Sequence, residues 1–492
     1  MNIKNSLGLS IDFLENGSIQ HIEANPIRIS LKAATPYSKP GANLYLRKRT
    51  NPFEFRALLG PESNCRFQLK ENAFIAKGSW DGLDYECVLQ LSNKSLSWKW
   101  SIDITNTSAD PFDLDLIYVQ DVGLKPITNG LINEYYVSQY LERLVLEDQK
   151  YGSVICCRQN MKESAGNPWL MLACKNMAIA GSVDGMQFYG KTYRETGIPE
   201  GLLAAILGGN YAGESSVLAL QEKSFELATG DHHKSVFVAT CLSDHPKATS
   251  NDDLNQLNSL FREFDDEVLS PVQEEMFAPA RNIFNTSSFL PVDDLTDTEL
   301  DLFFGNKRRH REVENGRLLS FFCDQNNHVM LRAKEIMVDR PHGHIMLAKA
   351  GYAPDESIVS TTSFAFGVFN SHLTQGNTNF NVLLSVCTSQ FNLTMESGQR
   401  IFVELDGLLY LLGVPSAFEI GLNHCRWIYK HGNHCFQVRT WTSKSAPQVN
   451  MDFKVIYGKN VKLLITHDFD TLNGWEITTC STAGEYVATP KA

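Results

Sequence analysis

Along most of this chain, apolar and polar residues alternate at period two between clusters of turn-forming residues. Leu96, Trp98, Trp100, Ile102 and Ile104 alternate with Ser97, Lys99, Ser101 and Asp103, and after the turn cluster Asn106 to Pro111 the pattern resumes at Phe112, Leu114 and Leu116. Leu7, Leu9, Ile11 and Phe13 alternate in the same way, and Asn16-Gly17 supplies hairpin chemistry before Ile19 and Ile22. Successive strand residues point to opposite faces, so each run buries one face and requires a covering layer. The pattern predicts a mainly β chain built as large antiparallel sandwiches. With 492 residues, 43% of them hydrophobic, there is material for more than one core.

The alternation breaks once. Leu254, Leu257, Leu260, Phe261 and Phe264 recur at helical spacing behind a capping Asn or Asp, and a second helical candidate runs from Asp293 to Phe304. The stretch is acidic and carries Pro271, Pro279 and Pro291, which marks it as a connection. The expected organisation is a first sandwich over 1–250, a partly helical linker over 251–304 and a second sandwich over 305–492. Strands return in the last part at Leu318–Phe322, Val382–Val386, Ile401–Leu405 and Val461–Ile465, and Asp406-Gly407 marks a hairpin turn.

A formal net charge of -12 disfavours nucleic acid, because polyanions require clustered Lys and Arg. Two short basic clusters stand out, Arg47-Lys48-Arg49 and Lys307 to Arg311, without aromatic platforms beside them. The 11 cysteines form no C-x-x-C pair and read as reduced, buried thiols of a cytoplasmic protein. No apolar run approaches the ~18 residues of a membrane span, so no membrane partner is expected.

The densest polar segment runs from Met330 to Asn381. Within Asp339-Arg340-Pro341-His342-Gly343-His344, strand alternation places both imidazoles on one face, a pairing that serves either a metal or a turn held by hydrogen bonds. A third ligand at diagnostic spacing is lacking, so no metal is expected. Asn370, Asn377 and Asn379 lie among Phe364, Phe366, Phe369 and Phe380. Amides with aromatic faces suit sugars, and the same residues also suit a turn-rich loop. Glu335, Asp339, Asp355, Glu404 and Asp406 are carboxylates available for acid–base work, but their spacing selects no pair. No P-loop, Rossmann fingerprint, nucleophile elbow or H-E-x-x-H occurs, and no catalytic residue is assigned.

The run Met330 to His344, with Phe366 to Ser371, Gly376 to Phe380, Gly413 to Glu419 and Gly421 to Tyr429, resembles motifs of the cyclic-β-1,2-glucan synthase and cellodextrin phosphorylase clan of glycoside phosphorylases. Asn43 to Arg49 fits the front end of the β-1,2-glucan-cleaving members. The resemblance implies two supersandwich-like β domains followed by an (α/α)6 barrel that carries the chemistry. That chemistry is phosphorolysis of β-1,2-glucooligosaccharides to α-glucose 1-phosphate with inversion. It needs no cofactor, only inorganic phosphate as co-substrate.

No succession of amphipathic helices follows residue 470. The expectation is therefore the amino-terminal, carbohydrate-handling part of such an enzyme, inactive alone. The alternative is a stand-alone carbohydrate-binding or scaffold subunit of a split enzyme, with an independent sugar epimerase or hydrolase using His342, His344 and Asp339 as a third reading. Expected partners are a β-glucan oligosaccharide, the barrel and a second copy in a homodimer. Asp339, Arg340, His342, His344, Asn370, Asn377, Asn379, Arg426 and Trp427 are the candidates for substrate-binding or interdomain contacts.

Overall fold

The computed structural model describes residues 1–127, 134–211, 213, 215–265, 275–348, 358–367, 372–375, 398–446, 448–467, 475–479 and 486–490. The chain forms two compact units: Met1–Gly190 with Ile198–Thr286, and Lys191–Gly197 with Ser287–Ala492. Both are built mainly of antiparallel strands, as the alternation predicts. Asn251–Gln256 and Leu257–Arg262 are short helical turns of the first unit, and Asp297–Phe304 is a helix of the second. The first of these turns is capped by Ser250 rather than by an Asn or Asp: its hydroxyl accepts from the Asp252 N–H, and the Asp253 side chain reciprocates.

In the first unit a 14-stranded sheet and a 5-stranded sheet contribute to one core. Ser97–Asn106 pairs with Leu83–Leu91 on one side and His232–Leu242 on the other, and Trp98, Trp100, Ile102 and Ile104 enter the core. The Trp98 indole N–H donates to the Tyr118 hydroxyl at 3.2 Å, and that hydroxyl donates to the Gln120 amide oxygen at 3.0 Å. The polar ends of Trp98 and Tyr118 are thereby satisfied. Leu257, Leu260, Phe261 and Phe264 pack with Tyr151, Trp169 and Met171 in a separate cluster.

The basic cluster at 47–49 is largely internal. Arg47 and Asp115 face each other across paired strands, both wholly buried, with Arg47 Nε 2.7 Å and Nη2 2.6 Å from the two carboxylate oxygens. Arg47 Nη1 donates to the Ala204 carbonyl at 2.6 Å, while Arg49 and the Gln221 amide also donate to Asp115. Lys48 lies 4.5 Å from the Trp80 ring and 4.9 Å from that of Phe112. A cluster spent in this way offers little to a polyanion.

In the second unit a seven-stranded sheet carries Ala417–Ile420, His424–His431, His434–Thr442 and Val449–Tyr457 as consecutive neighbours. One face supplies Phe418, Cys425, Trp427, Tyr429, Phe436 and Val438 to a core shared with Ile401, Val403, Leu405 and Met346 from smaller sheets. Asp406 and Gly407, at φ of 50° and 80°, turn Gln399–Leu405 into Leu408–Leu411, the hairpin expected from that dipeptide. On the other face, the helix Asp297–Phe304 covers Ala417, Ile428 and Cys435 with Leu300 and Phe304.

That helix begins in a capping box between Thr296 and Glu299. Glu299 also sits 2.9 Å from the Lys430 ammonium and accepts from the Tyr457 hydroxyl at 2.8 Å. Burial alone would push the Glu299 carboxyl up, but Lys430, Thr296 and Tyr457 outweigh it and hold the pKa down at about 2. A carboxyl depressed in the folded state stabilises above its unfolded pKa, and that stability is lost as pH falls through the folded one. Glu299→Gln is expected to cost about 2 kcal/mol at neutral pH. It should also flatten the decline in stability from pH 4.5 towards pH 2. Urea unfolding across that window measures both, and parallel acid limbs for the two proteins would refute the assignment.

Candidate functional site

The candidates from sequence that the structure describes fall at or near two polar centres of the second unit. The first is built on the motif run itself. Arg332–Glu335 forms a single helical turn that buries the Glu335 side chain to 3% exposure. His342 Nδ1 lies 2.6 Å from Glu335 Oε2, placed for its N–H to donate, and the His342 backbone N–H reaches the same oxygen at 3.3 Å. The carboxylate thus closes the eight-residue loop from Glu335 to His342 onto itself.

Arg194, from the Lys191–Gly197 segment of this unit, stands 3.6 Å from the other Glu335 oxygen. Its Nη2 donates to the carbonyls of Glu335 and Val338, and its guanidinium lies 5.7 Å from the Phe366 ring centroid. Glu195 pairs with Arg332, and Lys191 with the exposed Asp339 at 2.9 Å. Arg340 is exposed. This centre is a brace: its buried charges are matched within the unit, and its geometry fixes where Gly343–Leu347 begins.

The second centre lies on the outer face of the seven-stranded sheet, beside the helix Asp297–Phe304. There Phe303, Gln325, Glu419, Leu422, Asn423, His424, Arg426, Gln437, Arg439, Trp441, Thr442 and Lys444 line a cleft of about 760 Å³. Strand register sets one wall of it. Glu419 lies opposite Arg426, Arg426 opposite Arg439, and Arg439 opposite Asp452, so four charged residues form one row across four strands. Arg426 Nε is 2.5 Å from Glu419, and Arg439 Nη2 is 2.7 Å from Asp452. Arg426 Nη2 also donates to the Phe303 carbonyl at 2.8 Å, near the end of the helix, and the guanidinium rests 4.8 Å from the Phe304 ring. The Asn327 amide donates to Glu419 at 2.8 Å. Trp441 is half-buried, with Arg439 4.6 Å from its ring centroid.

The candidates from sequence divide between these places. His342 belongs to the brace, and Arg426 to the cleft wall. His344 Nε2 is 3.4 Å from the carbonyl of Leu422 at the cleft rim, so the two histidines turn to different partners instead of converging. Among the described residues no three His, Cys, Asp or Glu side chains are grouped to hold a metal ion. Trp427 points into the core, wholly buried, with its indole N–H donating to the Phe364 carbonyl at 3.0 Å. Asn370, Asn377 and Asn379 lie outside the described residues, as does Val382–Val386. Sequence reading missed Glu419, Gln437, Arg439 and Trp441. The alternation of Gln437, Arg439 and Trp441 with apolar residues was the available signal.

Residues 12–239 match the SOGP N-terminal domain, and residues 305–482 match the glycoside phosphorylase supersandwich domain. By class, then, the chain is similar to these two domain families, one following the other. In particular, it is similar to the 1,2-beta-oligoglucan phosphorylase of Listeria innocua serovar 6a, with 28% identity over 464 residues. The match takes in 93% of this chain and 41% of that protein, so the chain spans less than half the length of its curated relative. Among solved structures, a polysaccharide lyase aligns over 92% of this chain and 47% of its own at 7% identity and TM-score 0.33. A bacterial glucoamylase complexed with acarbose aligns over 53% and 34% at 10% identity and TM-score 0.33. Likeness of that degree supports no argument about fold or function. Among the described residues, no helix is long and apolar enough to cross a membrane.

Proposed function

We propose that these residues are the carbohydrate-handling front portion of a glycoside phosphorylase acting on β-1,2-glucooligosaccharides. The reaction is phosphorolysis to α-glucose 1-phosphate, with the catalytic acid and phosphate-binding groups outside these 492 residues. The observation that supports it is the alignment of nearly the whole chain with less than half of a 1,2-beta-oligoglucan phosphorylase. An inverting phosphorylase needs a proton donor for the leaving oxygen and a pocket for phosphate in place of the attacking water. Among the described residues lining the cleft Glu419 is the carboxylate, and Arg426 and Asn327 occupy its oxygens. A cytoplasmic setting agrees with nine described cysteines, all buried and free.

The test is glucose 1-phosphate release from β-1,2-glucooligosaccharides and phosphate by the purified 492-residue chain. The expected result is no release, with turnover restored when a barrel-containing polypeptide of the same clan is added. Release by this chain alone would overturn the proposal, since the acid and phosphate site would then lie within it.

A further inference from the structure

We propose that the cleft on the outer face of the seven-stranded sheet is a binding site for a neutral oligosaccharide. In naming that ligand a β-1,2-glucan, the inference rests on the function proposed above. Its volume of about 760 Å³ falls within the ~300–1,000 Å³ of small-molecule sites.

The charge arrangement selects the ligand. Two arginines directly opposite on neighbouring strands would repel each other, and an anion would be the natural relief. Here each already has a carboxylate: Glu419 for Arg426 and Asp452 for Arg439. The row is therefore neutral in sum, and Lys444 adds one cation to the lining beside it. The row still presents guanidinium N–H donors, because among the described residues Arg439 donates one of its five N–H groups, to Asp452. Hydroxyl groups can use such donors without adding charge, whereas a phosphate would bring its negative charge beside carboxylates that already match the two guanidinium groups. Gln325, Asn423 and Gln437 add amides that both donate and accept. Burial holds the His424 imidazole below its ordinary value, which keeps it neutral near pH 7.

Trp441 supplies the remaining element. The apolar C–H face of a pyranose packs on an aromatic surface, and Arg439 over the ring fixes its orientation. Cross-strand pairing sets His424 opposite Trp441, one step along the sheet from the arginine pair, so the platform and the polar row adjoin. The helix Asp297–Phe304 covers the neighbouring part of this face and leaves the row open.

Isothermal titration calorimetry of the full chain tests this, using β-1,2-glucooligosaccharides, cello-oligosaccharides as a linkage control and inorganic phosphate as an anion control. The expected result is saccharide binding that weakens about tenfold in Trp441→Ala. Gln437→Ala should weaken it by a smaller factor, with melting temperatures unchanged. Gln437→Ala decides the matter if Trp441→Ala does not fold. Unchanged affinity in the folded variants, no saccharide heat, or preferential phosphate binding would each overturn the site. So would sedimentation showing that Trp441→Ala abolishes self-association while leaving saccharide affinity intact. Binding of cello-oligosaccharides alone, lost in Trp441→Ala, would support the cleft and overturn the β-1,2 reading of the preceding section.

Discussion

Asp115→Ala is expected to destabilise the first unit by about 3–5 kcal/mol, because it strands the Arg47 guanidinium in a site from which water is excluded. Three carbonyls, of Gly201, Leu202 and Ala204, remain within reach of Arg47 Nη1, but none carries the charge that balances it. Calorimetric melting should show the loss as a drop of several degrees in one transition while the second unit's transition stays in place. The double substitution Arg47→Met with Asp115→Leu should cost less than Asp115→Ala alone. The penalty lies in leaving one charge unmatched, and an apolar pair of similar volume avoids it. A loss below about 0.5 kcal/mol for Asp115→Ala would mean that water reaches Arg47, contrary to its burial.

Trp427→Ala should damage the second unit to a similar extent, by about 3–5 kcal/mol. The ring packs against Phe418 with centroids 5.0 Å apart and shares a core with Tyr429, Phe436 and Ile401. Its removal opens a cavity that a sheet backbone cannot close, and the Phe364 carbonyl loses its donor. Trp427→Phe refills most of the volume and should cost about half as much. If Trp427 met a saccharide or another domain, Trp427→Phe would change binding more than stability. The geometry predicts the opposite order: stability falls, and affinity for glucooligosaccharides stays within twofold at temperatures below the melt. Urea unfolding and calorimetry on the same samples separate the two effects.

The strands were legible because burying one face of a sheet writes a period of two into the residues. Ser97–Asn106, Phe112–Asp121 and the Asp406-Gly407 hairpin sit where alternation and turn chemistry put them. The cleft was much less legible. Arg426 stood out as an arginine beside a tryptophan, but its meaning depends on Arg439 and Glu419, which register alone brings opposite it. Register follows from turn length and core fit along whole strands, and no local motif encodes it. Trp427 drew attention for the same composition as Arg426, yet adjacent strand residues face opposite ways, so one reaches the cleft wall and the other the core. Likewise, Glu335 was one carboxylate among several until folding brought it to Arg194, 141 residues earlier in the chain.

That separation bears on how the protein is made. Lys191–Gly197 belongs to the second unit, although the first unit resumes at Ile198 and continues to Thr286. Domains tend to fold as they leave the ribosome, at ~5–20 residues per second. Arg194 therefore emerges well before Glu335 is synthesised and must be held open through completion of the surrounding unit. A gene cut at Ser287 would likewise encode the later unit without the guanidinium that its buried carboxylate requires. Dissecting this chain into independently expressed halves thus calls for a transplanted seven-residue segment, not a single scission.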